Sequence, residues 1–271
     1  MVRKDDDTKM VHLSEISSLV LETNQVYISA FLMAELSKAK IPLVVPDEKH
    51  NPVGQYLPIY GAHNVSKRVQ EQLAWTEPAK KRVWQTVIRE KIRQQARLLE
   101  DMDLMLQAQA LYALREEVRS GDTTSREAVA AKMYFQALFG EEFSRDDVTD
   151  FNAFLNYGYS ILLSAVNREI VSRGYLTQCG ICHRNEFNHF NLGCDLMEPF
   201  RPVVDRIAMA QDELVFDKEA RRQLVGMMNN TVAYKGGVYR VSSVISLYVQ
   251  DCFDALNRKI DFDEIEPYDI S

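Results

Sequence analysis

The sequence predicts an α+β protein: a small N-terminal β-rich domain over residues 1–62, a large all-α domain over 63–260, and an acidic tail over 261–271. Three observations carry this. Short runs of Val, Leu and Ile broken by turn residues are confined to the first sixty positions. From Val65 onward apolar residues recur at the 3.6-residue helical period. Gly and Pro number only 11 and 8 in 271 residues, so long segments run without a helix breaker.

In chain order, Ser18 to Glu22 and Ile41 to Val45 read as strands, separated by a helix over Ser29 to Lys40 with Ser29 as its cap. Pro46 to Gly54 reads as a loop leading to a third strand near Gln55 to Tyr60. Helices are expected over 65–75, 79–118, 126–139, 151–173, 195–211, 217–229 and 240–258, with Gly140 and Gly174 as stops. Asp261, Asp263, Glu264, Glu266 and Asp269 read as a solvated, mobile tail.

Composition narrows the function classes. With 46% apolar and 26% charged residues the chain affords an ordinary folded core, which excludes collagen-like and disordered readings. The opening MVRKDDDTKM lacks the apolar stretch of a secretory signal, and no apolar run approaches a membrane span, so a cytoplasmic protein is expected. Its four cysteines are then expected as thiols or metal ligands. The net charge of −7 argues against a protein wrapped in nucleic acid, yet charge is uneven. Asn64 to Arg97 carries nine cations against three acids, a local excess of six that leaves −13 for the rest. That segment is either a solvated helix face or a surface that tracks phosphates.

Three segments could carry chemistry. Wound as a helix, Asp195 to Arg206 sets Asp195, Glu198 and Asp205 along one side of a mostly apolar element. Buried carboxylates there demand a cation, either a metal or a neighbour such as Arg201 or Arg206. Cys179-Gly-Ile-Cys182-His183 matches a haem-attachment pattern and, with His189 and Cys194, resembles a zinc cluster; alternatively His183 alone joins the carboxylates that follow. Thr124 and Glu127 fit a capping box, while small Ala128, Ala130 and Ala131 allow a close neighbour and a functional Glu127.

Taken together, the segments Arg126 to Phe135, Phe143 to Asp146, Leu155 to Tyr159, His183 with Phe187-Asn188, and Asp195 to Pro202 resemble the CRISPR-associated spacer-acquisition integrase family in its type II form. The resemblance spans roughly Val11 to Ile260. It departs at Ala128, where the family usually has Gly. It also implies a start about a hairpin late, ahead of His12 to Ile16, and hence an incomplete β-domain.

The resemblance implies a catalytic helical domain, a homodimer formed through the β-domain, and a divalent metal, Mg²⁺ or Mn²⁺, held by Glu127, His183 and Glu198. Asp195 and Arg201 would support these groups or contact phosphate. The implied activity is endonuclease and integrase chemistry that inserts short DNA fragments into a CRISPR array by phosphodiester transesterification. The implied partners are DNA, a small ferredoxin-fold CRISPR-associated dimer and other type II CRISPR proteins. Arg82, Arg89 and Arg93 are the choice for DNA backbone binding. Two rivals are a stand-alone nuclease on branched or single-stranded DNA and a zinc-stabilised helical binding module without activity.

Overall fold

The computed structural model describes residues 2–4, 7–48, 52–59, 61–211, 214–265 and 268–269. Strands β1 (Val2–Lys4) and β2 (Asp7–Lys9) form an antiparallel hairpin ahead of His12, where no strand is expected from the sequence. A second sheet has the order β3 (Leu19–Val20), β4 (Leu43–Pro46), β5 (Pro52–Tyr56). Strand β3 runs parallel to β4 and is joined to it through helix α1 (Ala30–Lys38), whose cap Ser29 accepts the Leu32 amide at 3.2 Å. The third strand thus ends at Tyr56, short of the expected Tyr60, which lies outside the described residues.

Helices α2 (Val65–Leu73), α3 (Glu77–Asp101) and α4 (Met105–Glu117) follow. The helix expected over 79–118 is therefore two, because the chain reverses at Asp103 with a left-handed φ of 61°. Helix α3, about 37 Å long at 1.5 Å per residue, is the spine of the molecule. Its Val83, Val87, Ile88, Ile92, Ala96 and Leu99 are fully buried. Next come α5 (Arg126–Phe139), α6 (Asp150–Ser172), α7 (Asn191–Met197), α8 (Arg201–Met209), α9 (Lys218–Gly226) and α10 (Val241–Leu256); α5, α7, α8 and α10 pack on α3, and α6 packs on α7, α8, α9 and α10. Pro199 and Pro202 interrupt the expected 195–211 helix, so a 3-10 turn at Glu198–Phe200 separates α7 from α8. Helices α6 and α8 approach so closely at Gly158 that a Cβ there would lie 2.4 Å from Val204.

Two features depart from an all-helical second half. Strands β6 (Thr231–Tyr234) and β7 (Gly237–Arg240) form a hairpin across Lys235-Gly236, both with positive φ, as a tight two-residue turn requires. The expected solvated tail is instead a strap. Asp261 and Glu264 close a capping box, and β8 (Tyr268–Asp269) adds to the edge of β6 with Tyr268 buried. Glu266 lies outside the described residues. The strap docks because Tyr268 stacks on Phe200 with ring centroids 4.9 Å apart and donates to the Pro199 carbonyl at 2.5 Å.

Candidate active site

Glu127 owes its position to an unusual helix start. The Thr124 capping box does not form; Ser125 takes a left-handed φ of 51°, and the Asp122 carboxylate caps α5 by accepting the amides of Arg126 at 2.8 Å and Glu127 at 3.0 Å. The Glu127 carboxylate is thereby released from capping. It reaches α3, where the Lys91 ammonium donates to Glu127 Oε1 at 2.5 Å.

The same ammonium lies 2.6 Å from Glu198 Oε2. Glu198 stands in the 3-10 turn between α7 and α8, and Arg201 Nε holds its other oxygen at 2.9 Å. Among the described residues, Oε2 accepts no hydrogen bond beyond its ammonium contact. Burial pushes the Glu198 carboxyl up, but Lys91 and Arg201 outweigh burial and draw it down to about 2. Burial likewise disfavours the charged form of Lys91, and the two acids overcome this and raise its pKa. The three side chains form one charged set, buried except for Glu127, whose side chain keeps 33% exposure.

His183 is fixed by Asp195. Asp195 Oδ1 contacts His183 Nδ1 at 2.6 Å and accepts the His183 amide at 3.0 Å, while Oδ2 accepts the amides of Ile181 at 2.6 Å and Cys182 at 3.0 Å. The Cys-Gly-Ile-Cys-His pattern is thus a backbone cradle around a buried carboxylate. Gly180 is needed in it, since a Cβ there would stand 2.7 Å from Asp195 Oδ2. The hydrogen bond to Asp195 raises the His183 pKa and, by engaging Nδ1, leaves Nε2 as the nitrogen able to bind a further group. The imidazole packs edge-on to Trp84, 5.8 Å between centroids, two turns along α3 from Lys91 and within electrostatic reach of Glu198.

Among the described residues, no three His, Cys, Asp or Glu side chains stand together in a metal-binding arrangement. For the cysteine segment the reason is local: Cys194 accepts from Asn188, and His183 is turned to Asp195. Glu127 and Glu198 instead share Lys91, whose ammonium contacts both acids. The donor set nonetheless fits a hard divalent cation. Two carboxylates already converge on one positive charge, and the His183 imidazole lies within electrostatic reach of Glu198.

The family model described as CRISPR associated protein Cas1 matches residues 1–214. This chain belongs to the Cas1 family. It is 41% identical over 205 residues to the CRISPR-associated endonuclease Cas1 of Neisseria meningitidis, covering 76% of this chain and 67% of the relative. A Cas1 from Pyrobaculum aerophilum is 28% identical over 219 residues, covering 74% and 73%. Among solved structures, a casposase bound to integration product superposes with a TM-score of 0.75 at 20% identity, covering 91% of this chain and 80% of the casposase. The Thermotoga maritima Cas1 gives 0.56 at 18% identity, covering 94% and 90%.

Within this Cas1 fold the three expected DNA-binding arginines differ in placement, Arg82 being exposed, Arg89 partly exposed and Arg93 engaged in the fold. Arg93 is mostly buried, donating to both Glu90 oxygens at 2.9 Å, to Asp269 at 2.6 Å and to the Tyr268 carbonyl. It is a structural cation and is withdrawn from any phosphate. Arg89 pairs with Glu116, and Arg82 lies over the Phe262 ring at 5.2 Å. Helix α3 is thus the core spine, with cations such as Lys81 and Arg82 left exposed on its surface.

One group at the site, Lys91, was missed in the sequence, whereas Asp205 was expected among the carboxylates of its helix. Lys91 follows the apolar phase of α3 with Trp84, Ile88, Gln95 and Leu98, all buried, and this phase is the signal that would have found it. Asp205 is fully buried, accepting from Tyr134 at 2.8 Å and Tyr159 at 2.5 Å. Tyr159 in turn carries Arg201 over its ring at 4.6 Å.

Proposed function

We propose that this chain is a divalent-metal-dependent DNA endonuclease and integrase that inserts short DNA fragments into a CRISPR array. The observation that supports it is the convergence of Glu127 and Glu198, 71 residues apart, on one buried cation beside an imidazole braced by Asp195. Glu127, Glu198 and His183 Nε2 would hold Mg²⁺ or Mn²⁺. When bound, the cation supplies Lewis acidity that polarises a phosphodiester and favours a 3′-hydroxyl or water as nucleophile. Asp195 keeps the imidazole in the tautomer that leaves Nε2 free. Arg201 steadies Glu198 and adds positive charge near the developing phosphorane. Arg145, whose guanidinium lies 5.5 Å from the centroid of the Tyr159 ring, is held among the described residues by neutral Asn152 and Asn156 rather than by an acid, so its charge also remains available to phosphate. Strand transfer needs no covalent enzyme intermediate, because one phosphorus–oxygen bond forms as the other breaks.

Relatives support the partners: the solved structures that superpose on this chain include Cas6-RT-Cas1–Cas2 complexes, one with a TM-score of 0.72 at 22% identity, covering 95% of this chain and 33% of that one. A small CRISPR-associated dimer as partner and a homodimer follow as parts of this proposal. Exposed Tyr27, Phe31, Val53 and Ile59 on the N-terminal unit offer apolar surface for such contacts.

The test is insertion of a short duplex into a supercoiled repeat array with Mn²⁺, read on a gel. Joined product is expected, with loss of at least about a hundredfold in Glu127→Gln, His183→Ala and Glu198→Gln. Cleavage without joining favours the stand-alone nuclease, and joining unaffected by all three substitutions overturns the assignment.

A further inference from the structure

Lys91 poses a physical question that the proposed metal site leaves open. Each Glu198 oxygen already rests on a cation, Oε1 on Arg201 and Oε2 on Lys91, and Glu127 shares Lys91. Two carboxylates are thus offset by two permanent cations before any divalent ion arrives. A metal entering this set must displace the ammonium from at least one acid and add two charges to a locally balanced site.

From this we infer that Lys91 is a tethered counter-cation that makes metal binding conditional on DNA. This inference rests on the proposed metal site and concerns its control. Without DNA, the ammonium holds Glu127 and Glu198 together and competes with the divalent ion. A DNA phosphate brought beside the two acids supplies the missing negative charge, attracting both the metal and the displaced ammonium, so that cation and substrate enter together. The side chain suits this role. It is long and unbranched, so its head can swing to a nearby phosphate while its stem stays packed on α3. Among the described residues, its head is pinned only by the two acids in question. The device prevents a loaded metal site from meeting water in the absence of substrate.

The experiment is Mn²⁺ titration of the full-length purified chain, followed by electron paramagnetic resonance of free Mn²⁺, with and without a short DNA duplex. The wild type is expected to bind Mn²⁺ at least about tenfold more tightly with DNA than without. Lys91→Gln is expected to bind Mn²⁺ tightly without DNA, which erases most of that difference, and its metal-free melting temperature is expected to fall and be restored by Mn²⁺. Lys91→Arg keeps the charge and should keep the DNA dependence. Unchanged or weaker DNA-free affinity in Lys91→Gln overturns the inference. Should that variant not fold, equal wild-type affinity with and without DNA overturns it alone. Failure of the underlying site is distinguishable: there, Glu127→Gln and Glu198→Gln leave Mn²⁺ binding unchanged under both conditions.

Discussion

Asp205 is an ionisable side chain that the fold keeps at a cost. It is sealed in the core, and burial pushes its carboxyl up to about 6 although Tyr159 and Tyr134 donate to it. A carboxyl whose pKa is raised by folding binds its proton more tightly in the folded chain than in the unfolded one. Its contribution to stability is therefore complete below the ordinary value near 3.8 and declines as pH rises through about 6. The shift corresponds to about 3 kcal/mol. Urea unfolding of the wild type and of Asp205→Asn should show the wild type losing about that much relative to the variant between pH 4 and pH 7. A constant difference across the window would refute the buried carboxylate. The phenols, whose pKa values burial raises far above the ordinary range, stay protonated and keep donating. That fixes the Tyr159 ring beneath Arg201, the residue that steadies Glu198.

At the level of elements, the C-terminal strap is an unexpected support for the site. Tyr268 braces the turn that carries Glu198 from below, through its stack on Phe200 and its hydrogen bond to the Pro199 carbonyl. Tyr268→Phe leaves that carbonyl without this donor and should cost about 1–3 kcal/mol in chemical denaturation. Tyr268→Ala also removes the stack and should cost about 3–5 kcal/mol. If both variants unfold at the wild-type midpoint, the strap is ornamental. The long helices were legible because a 3.6-residue apolar period over ten or more residues has few alternatives. The β6–β7 hairpin was not, because four-residue strands carry too little pattern to compete with helical neighbours. The strap was illegible for a different reason. Its sequence is dominated by acids, and the partner that cancels one of them, Arg93, lies 176 residues away. Likewise Glu127, His183 and Glu198 were readable as motif residues, whereas Lys91 looked like one cation among nine until α3 proved to run through the core.

Across the whole molecule the distribution of charge decides which cations can serve DNA. The net charge is −7, and the basic excess of residues 64–97 reads as a phosphate-binding stripe only if its cations are free. Arg93 is not: it is enclosed by Glu90, Asp269 and the Tyr268 carbonyl, and it tethers the last strand to the spine. Glu90 is itself buried, and its pKa is raised by that burial despite Arg93. Removing Arg93 therefore strands an acid in the core, and Arg93→Ala should lose about 3–5 kcal/mol of stability. The same substitution should leave the slope of log affinity for DNA against log salt unchanged, since Arg93 meets no phosphate. Arg145→Ala should behave in the opposite way, with a shallower slope by about one unit and a smaller stability loss, because its guanidinium faces neutral amides and lies over the Tyr159 ring that also carries Arg201. The two variants measured side by side, by fluorescence anisotropy over a salt series and by thermal melting, separate the cations that build the spine from those that face substrate. A slope that drops for Arg93→Ala and holds for Arg145→Ala would reverse the assignment and return DNA to the α3 surface.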